Sequence, residues 1–406
     1  MSAWLKIVGI GAGGLDDLSG PARTLIASAE LLVGGERHLA MVANDDARKL
    51  AWKFPLDGIV REINAARDQR VVVLATGDPM SFGIGSTLAR HFAPTDMAIV
   101  PAPGAFSLAA ARMAWPLHGC TCLTLHGRPL ELLNHHLLPN RRLLILSHDG
   151  TTPGQVATTL CHAGFGPSQL TVFENMGVEN AAVRTCRADA WDATNIENLN
   201  TIAVECKAGP DARYYSPATG LPDDAFLHDG QLTKRIVRAA TIAALAPLPG
   251  QHLWDLGAGC GSVAIEWLRT VQDVQGQGAR ASAVEHTPSR SAIMAQNACR
   301  LGAPFLNIVT AEIESALPEL DDPDAVFLGG GISGSGLIKT VWERLGTGGR
   351  LVANVVTLEG ERAVLNAHAK LGGDLVRIAI SHADPVGGLT GWRPAMPVTQ
   401  WSVVKP

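Results

Sequence analysis

The seven residues from Asp255 to Gly261, Asp-Leu-Gly-Ala-Gly-Cys-Gly, place one carboxylate and three glycines where a strand meets a helix. The apolar run Gln251–Trp254 precedes them as the strand, and Ser262–Leu268 follows as the helix. Glycines at 257, 259 and 261 let the chain turn sharply and let a ligand lie against bare backbone. A dinucleotide pyrophosphate would rest on the N–H groups of such a helix start. A carboxylate two residues before the first glycine repels it. Asp255 suits a ligand with a cationic amino-acid end, and S-adenosylmethionine (SAM) carries both an ammonium and a sulfonium. The segment therefore reads as the SAM turn of a Rossmann-like class I methyltransferase.

Downstream residues fit the same architecture. The strand Ala281–Val284 ends in Glu285, placed to hydrogen-bond ribose hydroxyls, and slightly further on than the usual ~20 residues because of the polar insert 271–278. Thr310-Ala-Glu312 follows the third strand, where an acid such as Glu312 meets an adenine. The fourth strand, Asp324–Leu328, runs into Gly329-Gly330-Gly-Ile-Ser-Gly334, a loop at the carboxyl edge of the sheet where open α/β folds bind ligands. Further strands are predicted at 350–355 and 375–380, and a helix over 230–245.

Composition narrows the function classes. The 406 residues exceed one compact core, so two or three domains are expected. Hydrophobic residues make up 47% and charged ones 17%, as in a soluble chain with large buried sheets. No apolar run reaches the ~18 residues of a membrane helix. The start, Met1-Ser-Ala-Trp-Leu-Lys6, lacks the pattern of a secretory signal. Seven cysteines, an odd number without paired spacing, read as reduced thiols in the core, and a cytoplasmic location follows. No His/Cys metal spacing appears, so no metal is expected. Residues 1–210 hold 17 basic against 19 acidic side chains and the remainder 16 against 19, so neither half carries the basic face of a nucleic-acid binder.

The N-terminal half also alternates strand and helix signals. Strands are predicted at 5–11, 31–33, 71–75, 97–100, 122–125, 143–146, 170–173 and 201–205, and helices at 22–30 and 86–92, giving two α/β lobes of ~100 residues each. Gly9-Ile-Gly-Ala-Gly-Gly14 matches a dinucleotide fingerprint, with Glu36 about where the ribose carboxylate belongs. The two acids and the proline of Leu15–Pro21 are poor company for a pyrophosphate. The turn-rich stretch 207–222 has no apolar periodicity and is read as a linker between domains at 1–206 and 223–406.

Several separated segments carry a family resemblance. Gly220–Phe226, Gly230–Arg235, Leu253–Trp267, Phe327–Gly331 and Asn354–Glu359 together resemble the precorrin-6B methylase module of cobalamin biosynthesis, over roughly residues 213–406. Residues 4–206 resemble the corrin branch of the tetrapyrrole methylases. The segments that carry this likeness are Leu31–Arg37, Thr76-Gly-Asp-Pro79, Phe82–Gly85, Pro103–Ser107, His126–Arg128 and Phe173–Gly177. The second likeness implies a two-lobed fold with SAM folded in the cleft, and Gly77, Asp78, Pro79, Phe82, Ile84 and Ser107 in its pocket. Ala12 stands where that family usually has proline. Arg112, His118, His126 and Arg128, near the presumed cleft, and Arg213, Thr233, Lys234, Arg235 and Arg238, beside the second site, are candidates to meet a substrate rich in carboxylates.

The joint likeness is to the precorrin-6Y C(5,15)-methyltransferases (decarboxylating). It implies one SAM per domain, a precorrin (tetrapyrrole) substrate and a homo-oligomer. The C-terminal module would methylate carbon 15 and remove CO₂ from the ring C acetate, and the N-terminal module would methylate carbon 5, giving precorrin-8X. His228, Asp229 and Lys234 are the candidate acids or substrate contacts for the decarboxylation. Two other readings stay open at this stage: a class I RNA base methyltransferase, and a sirohaem-type dehydrogenase–methylase fusion in which Gly9–Gly14 binds NAD.

Overall fold

The computed structural model describes residues 3–406 except 12, 45, 54, 178–179, 275, 277 and 333–335. The Ala12 departure and the end of the Gly329–Gly334 loop lie outside the described residues. The chain divides into two compact units, Met1–Gly127 with Pro139–Pro210, and Arg128–Leu138 with Asp211–Pro406.

Strands β1 (Leu5–Ile10), β2 (Leu31–Gly34), β3 (Arg48–Ala51), β4 (Val71–Thr76) and β5 (Met97–Val100) build the first unit's first sheet, all parallel, in the order β3-β2-β4-β1-β5. Its inner strands β1, β2 and β4 are almost wholly apolar because both faces are covered. Leu5, Ile7, Val71 and Val73 enter one core, and Val8, Ile10, Val72 and Leu74 the other. The second sheet takes β6 (Cys120–Thr124), β7 (Arg142–Leu146), β8 (Gln169–Glu174), β9 (Ala182–Arg187) and β10 (Asn200–Glu205) in the order β6-β7-β10-β8-β9. Only β6 and β7 pair in parallel. The helix Ala105–Met113 buries Phe106, Ala109 and Ala110 against Leu144, Phe173 and Ala203 of this second sheet. The two-lobed α/β expectation holds for this unit, although β3 and β9 carry no strong strand signal: β3 is short and polar, and β9 is mostly exposed.

The second unit is built on β11 (His252–Leu256), β12 (Arg280–Glu285), β13 (Asn307–Thr310), β14 (Ala325–Leu328), β15 (Arg350–Val355) and β16 (Asp374–Ile378). A separate hairpin, β17 (Ser381–Val386) with β18 (Leu389–Pro394), precedes the final strand β19 (Val398–Val404). Seven strands form one sheet in the order β13-β12-β11-β14-β15-β19-β16. The first five run parallel, and β19 is inserted antiparallel to β15 and β16. This is the expected Rossmann-like class I sheet. The chain order reverses between β11 and β14, so the crevice outside their carboxyl ends is where a ligand fits.

Two boundaries differ from expectation. Residues 211–222 belong to the second unit rather than to a free linker: Leu221 is buried, and the N–H groups of Gly220 and Leu221 donate to the two oxygens of Glu266 at 2.7 and 2.9 Å. Arg128–Leu138 also belongs there, and Asn134 Nδ2 donates to the Cys299 carbonyl at 3.0 Å. Short apolar periodicity cannot reveal either attachment, because both depend on partners far along the chain.

Candidate active site

In the second unit the glycine turn does what its composition suggests, but its acid does not. Gly257, Gly259 and Gly261 all have positive φ, the left-handed region that disfavours side chains. A Cβ on Gly257 would lie 2.9 Å from the Gly330 nitrogen, so the loops after β11 and β14 touch at the edge of the sheet. A Cβ on Gly261 would lie 2.4 Å from Met294, so that glycine serves helix packing and does not line the cavity. Asp255 is the correction. It lies within β11, only 1% exposed, and is absent from the cavity wall. Its Oδ2 accepts from Ala264 N at 3.0 Å, while Oδ1 has no partner among the described residues. It ties the strand to the first turn of the helix Ser262–Val271.

Burial pushes the Asp255 carboxyl up to about 7, with the Glu285 charge adding to the rise. The folded pKa therefore exceeds the ordinary carboxylate value of about 4. The favourable contribution of the protonated form is complete below about pH 4 and is lost as pH rises to about 7. Asp255→Asn, which cannot ionise, should gain on the parent by up to about 3 kcal/mol between pH 5 and pH 8. Denaturant unfolding at both pH values checks this, and a pH-independent difference between the two proteins contradicts it.

Glu285 is the carboxylate that reaches the site. It ends β12 and is 3% exposed; Oε2 accepts from Gly259 N and Oε1 from Thr287 N, both at 2.9 Å. A cavity of about 770 Å³ opens over this turn. Of the expected residues, Gly257, Gly259, Glu285, Glu312, Gly329, Gly330, Thr233 and Lys234 line it. Bare glycine backbone beside a carboxylate at the end of the second strand suits a nucleoside ligand such as SAM. Val356, Ile380, Ala395, Met396 and Val398 give the cavity an apolar wall, and His382 lines it as well.

The decarboxylation candidates separate. His228 and Asp229 are exposed and do not line the cavity. Asp229 Oδ2 accepts from Arg290 Nε at 2.7 Å, which holds its carboxyl below the usual range. The expected helix 230–245 begins only at Arg235, leaving Gln231–Lys234 as an extended strap along the cavity. Arg238 is wholly buried and cannot meet a substrate. Its Nε donates to Glu266 at 2.6 Å and its Nη1 to Asp223 at 3.1 Å; Nη1 also donates to the Thr233 carbonyl and Nη2 to that of Leu221. Sequence reasoning did not single out Arg290, His286 or His382. The hairpin that carries His382 did announce itself, since Gly387-Gly388 between two strand-like runs is a two-residue hairpin turn.

In the first unit, Gly9 supports a neighbouring turn, while Gly11 and Gly14 line a cavity. A Cβ on Gly9 would lie 2.0 Å from the Gly77 carbonyl oxygen and 2.8 Å from Ala102 N. The glycine lets the Gly77–Pro79 turn pack directly on β1, where Gly77 N donates to the Ile10 carbonyl at 2.7 Å. Gly77 has φ +60°, and a Cβ on it would come within 2.9 Å of Gly104 Cα. Asp78 closes the turn by accepting from Met80 N at 2.9 Å.

Between the lobes lies a cavity of about 90 Å³, walled by the ends of β1 and β4, the helices Glu36–Met41 and Ala105–Met113, and the second sheet. Gly77 lines it; Asp78, Pro79, Phe82, Ile84 and Ser107 do not. Phe82 packs edge-on against Phe106 with centroids 5.7 Å apart. Arg112 lies over the Phe173 ring, and the His126 ring is 5.4 Å from that of His148; neither lines this cavity. Arg128 falls in the second unit, so the expected cluster of cations is not assembled at this cavity. His38, which does line it, is not marked by the sequence, because a lone histidine after Glu36-Arg37 reads as one more polar residue at a helix start.

Among the described residues, no group of three or more His, Cys, Asp and Glu side chains could hold a metal ion, and no helix is long and apolar enough to cross a membrane. Cys206 and Cys260 are buried thiols as expected, whereas Cys161 and Cys299 are exposed.

Comparison with known proteins agrees with this architecture. A family described as tetrapyrrole (corrin/porphyrin) methylases matches residues 5–191, and one described as a precorrin methyltransferase domain matches 224–405. A precorrin-6Y C(5,15)-methyltransferase [decarboxylating] of Sinorhizobium sp. is 45% identical over 408 residues, covering 100% of this chain and 97% of its own. The N-terminal half is 28% identical to a cobalt-precorrin-7 C(5)-methyltransferase of Salmonella typhimurium, across 50% of this chain and 99% of that protein. The C-terminal half is 31% identical to a probable cobalt-precorrin-6B C(15)-methyltransferase (decarboxylating) of Pyrobaculum aerophilum, across 44% of this chain and 92% of that protein. With both modules present in order and the whole-length relative matched from end to end, the chain belongs to the precorrin-6Y C(5,15)-methyltransferases (decarboxylating), SAM-dependent enzymes of cobalamin biosynthesis.

Proposed function

We propose that the two units divide the family's reaction, each with its own SAM. The second unit methylates carbon 15 of precorrin-6Y and releases the ring C acetate as CO₂; the first methylates carbon 5, and the product is precorrin-8X. The observation that carries this reading is the 770 Å³ cavity, lined by the glycine turn, by the carboxylates of Glu285, Glu312 and Glu314, and by apolar side chains of the C-terminal segment. Gly257, Gly259, Glu285, Glu312, Gly329 and Gly330 would hold the methyl donor, and the apolar wall would receive the macrocycle. Thr233 and Lys234 would meet its carboxylates. SAM supplies an electrophilic methyl group to an electron-rich bridge carbon. The protein's part is to align the two and exclude water. In the first unit Gly77 borders the donor, while Asp78 and Pro79 shape its turn. Asp255 acts on the second site only by holding the turn.

The full chain incubated with precorrin-6Y and SAM should give a product heavier by two CH₂ groups and lighter by one CO₂. Mass spectrometry that finds an unmethylated or undecarboxylated macrocycle overturns the reading. Calorimetry should find two SAM sites per chain. Glu285→Ala removes two charge-assisted hydrogen bonds from the second turn, so one of those sites should weaken by roughly 10- to 100-fold while the other stays unchanged. A single site, or equal weakening of both, contradicts one SAM per unit.

A homo-oligomer, independence from nucleic acid and a cytoplasmic location belong to the same proposal. Leu389 at 80%, Trp392 at 77% and Val386 at 63% exposure put large apolar side chains on the β17–β18 hairpin, more than a solitary surface usually leaves in water. Leu389→Asp with Trp392→Asp should shift the mass found by light scattering to a smaller species. An unchanged mass would remove the hairpin from the interface.

A further inference from the structure

The cleft of the first unit holds a titratable side chain that alignment of donor and acceptor does not itself require. His38, from the helix Glu36–Met41, is 6% exposed and lines the 90 Å³ cavity beside Thr76 and Gly77. Its Nε2 lies 3.4 Å from Thr76 Oγ1 and 3.4 Å from a terminal nitrogen of Arg37. A guanidinium can only donate, so Nε2 is the accepting nitrogen and the neutral ring carries its proton on Nδ1. Both contacts are long, so the lone pair is held only weakly and a stronger proton donor can displace them.

Methylation of a bridge carbon leaves one step to complete. The carbon arrives bearing one hydrogen. The new carbon–methyl bond forms as the methyl–sulfur bond breaks, and the ring system carries one positive charge until that hydrogen departs as a proton. Its C–H electron pair then returns to the ring. We propose that His38 Nε2 accepts this proton and is a catalytic residue for methylation at carbon 5. The proposal rests on the reading that the first unit methylates that carbon. Burial, and then the charge of Arg37, hold the imidazole at about 4, so its lone pair is free at neutral pH. A weak base is adequate here because the cationic ring is a strong acid. The same Arg37 charge disfavours the imidazolium and favours release of the proton to solvent.

The test uses the full chain with His38→Ala and His38→Gln. Single-turnover methylation at carbon 5 should slow by about 10²- to 10⁴-fold in both, the usual contribution of a positioned base. SAM affinity by calorimetry, methylation at carbon 15 and CO₂ release should stay unchanged. With deuterium at carbon 5, the variants should show a larger isotope effect than the parent, because proton removal becomes limiting. Added imidazole should restore part of the rate to His38→Ala. Methylation within a few-fold of the parent overturns the proposal. So does a slow variant with neither an isotope effect nor rescue, which would make His38 a positioning residue. If His38→Ala loses SAM binding, His38→Gln decides by the same isotope effect. A parent protein that never methylates carbon 5 overturns the assignment of the first unit and the proposal with it.

Discussion

Gly9→Ala should slow methylation at carbon 5 by about 10²-fold or more while leaving methylation at carbon 15 and CO₂ loss intact. The added methyl would fall 2.0 Å from the Gly77 carbonyl oxygen and 2.8 Å from Ala102 N, both backbone atoms that cannot swing aside. The Gly77–Pro79 turn must therefore move off β1 by an ångström or so. Misplacement on that scale costs about 10²-fold in rate, because reacting groups leave their near-attack geometry. Early in the reaction the product should lack one methyl group relative to that of the parent. The second unit has its own core and cavity, so its chemistry is the internal control. If NADH binding rather than carbon 5 methylation were lost, Gly9–Gly14 would be a dinucleotide site after all.

Glu266→Ala should have the largest effect on stability. Glu266 is 1% exposed and accepts from Arg238 Nε, Gly220 N and Leu221 N. Removing it leaves a fully buried guanidinium with only Asp223 and two carbonyls, and strands two backbone N–H groups. Breaking a buried pair in this way costs about 3–5 kcal/mol. The second unit should unfold at clearly lower denaturant concentration. Because Arg238 also holds the Thr233 carbonyl near the end of the strap, carbon 15 methylation and CO₂ release should fall before global unfolding. An unchanged midpoint would mean that water already reaches the pair. Glu266 sits in an otherwise apolar helical run, where a sequence reading sees a surface residue; only the folded neighbours make it a cornerstone.

Much of the fold was legible along the chain because sheets covered on both faces demand continuous apolar strands, as in Val71–Ala75 and Ala325–Leu328. Glycine turns were legible for a similar reason: positive φ and close backbone approach exclude other residues, so 257, 259 and 77 are marked by type alone. The motifs around them were enough to establish the family. The direction of a polar side chain is legible only in part: Glu285, Glu312, Thr233 and Lys234 line the cavity as expected, and others do not. The turn's composition points to Asp255 as a ligand group, yet its carboxylate bonds the start of the following helix, while Glu285 at the end of the next strand lines the cavity. Arg238 looked like a substrate contact and is an internal strut; His228 and Asp229 looked like catalytic groups and stand outside. Local sequence specifies which residue types a strand, turn or helix requires. Whether a charged side chain meets a ligand, an ion pair or water depends on groups tens of residues away. Only the packed tertiary structure brings those groups within the few ångströms over which hydrogen bonds and buried charges act.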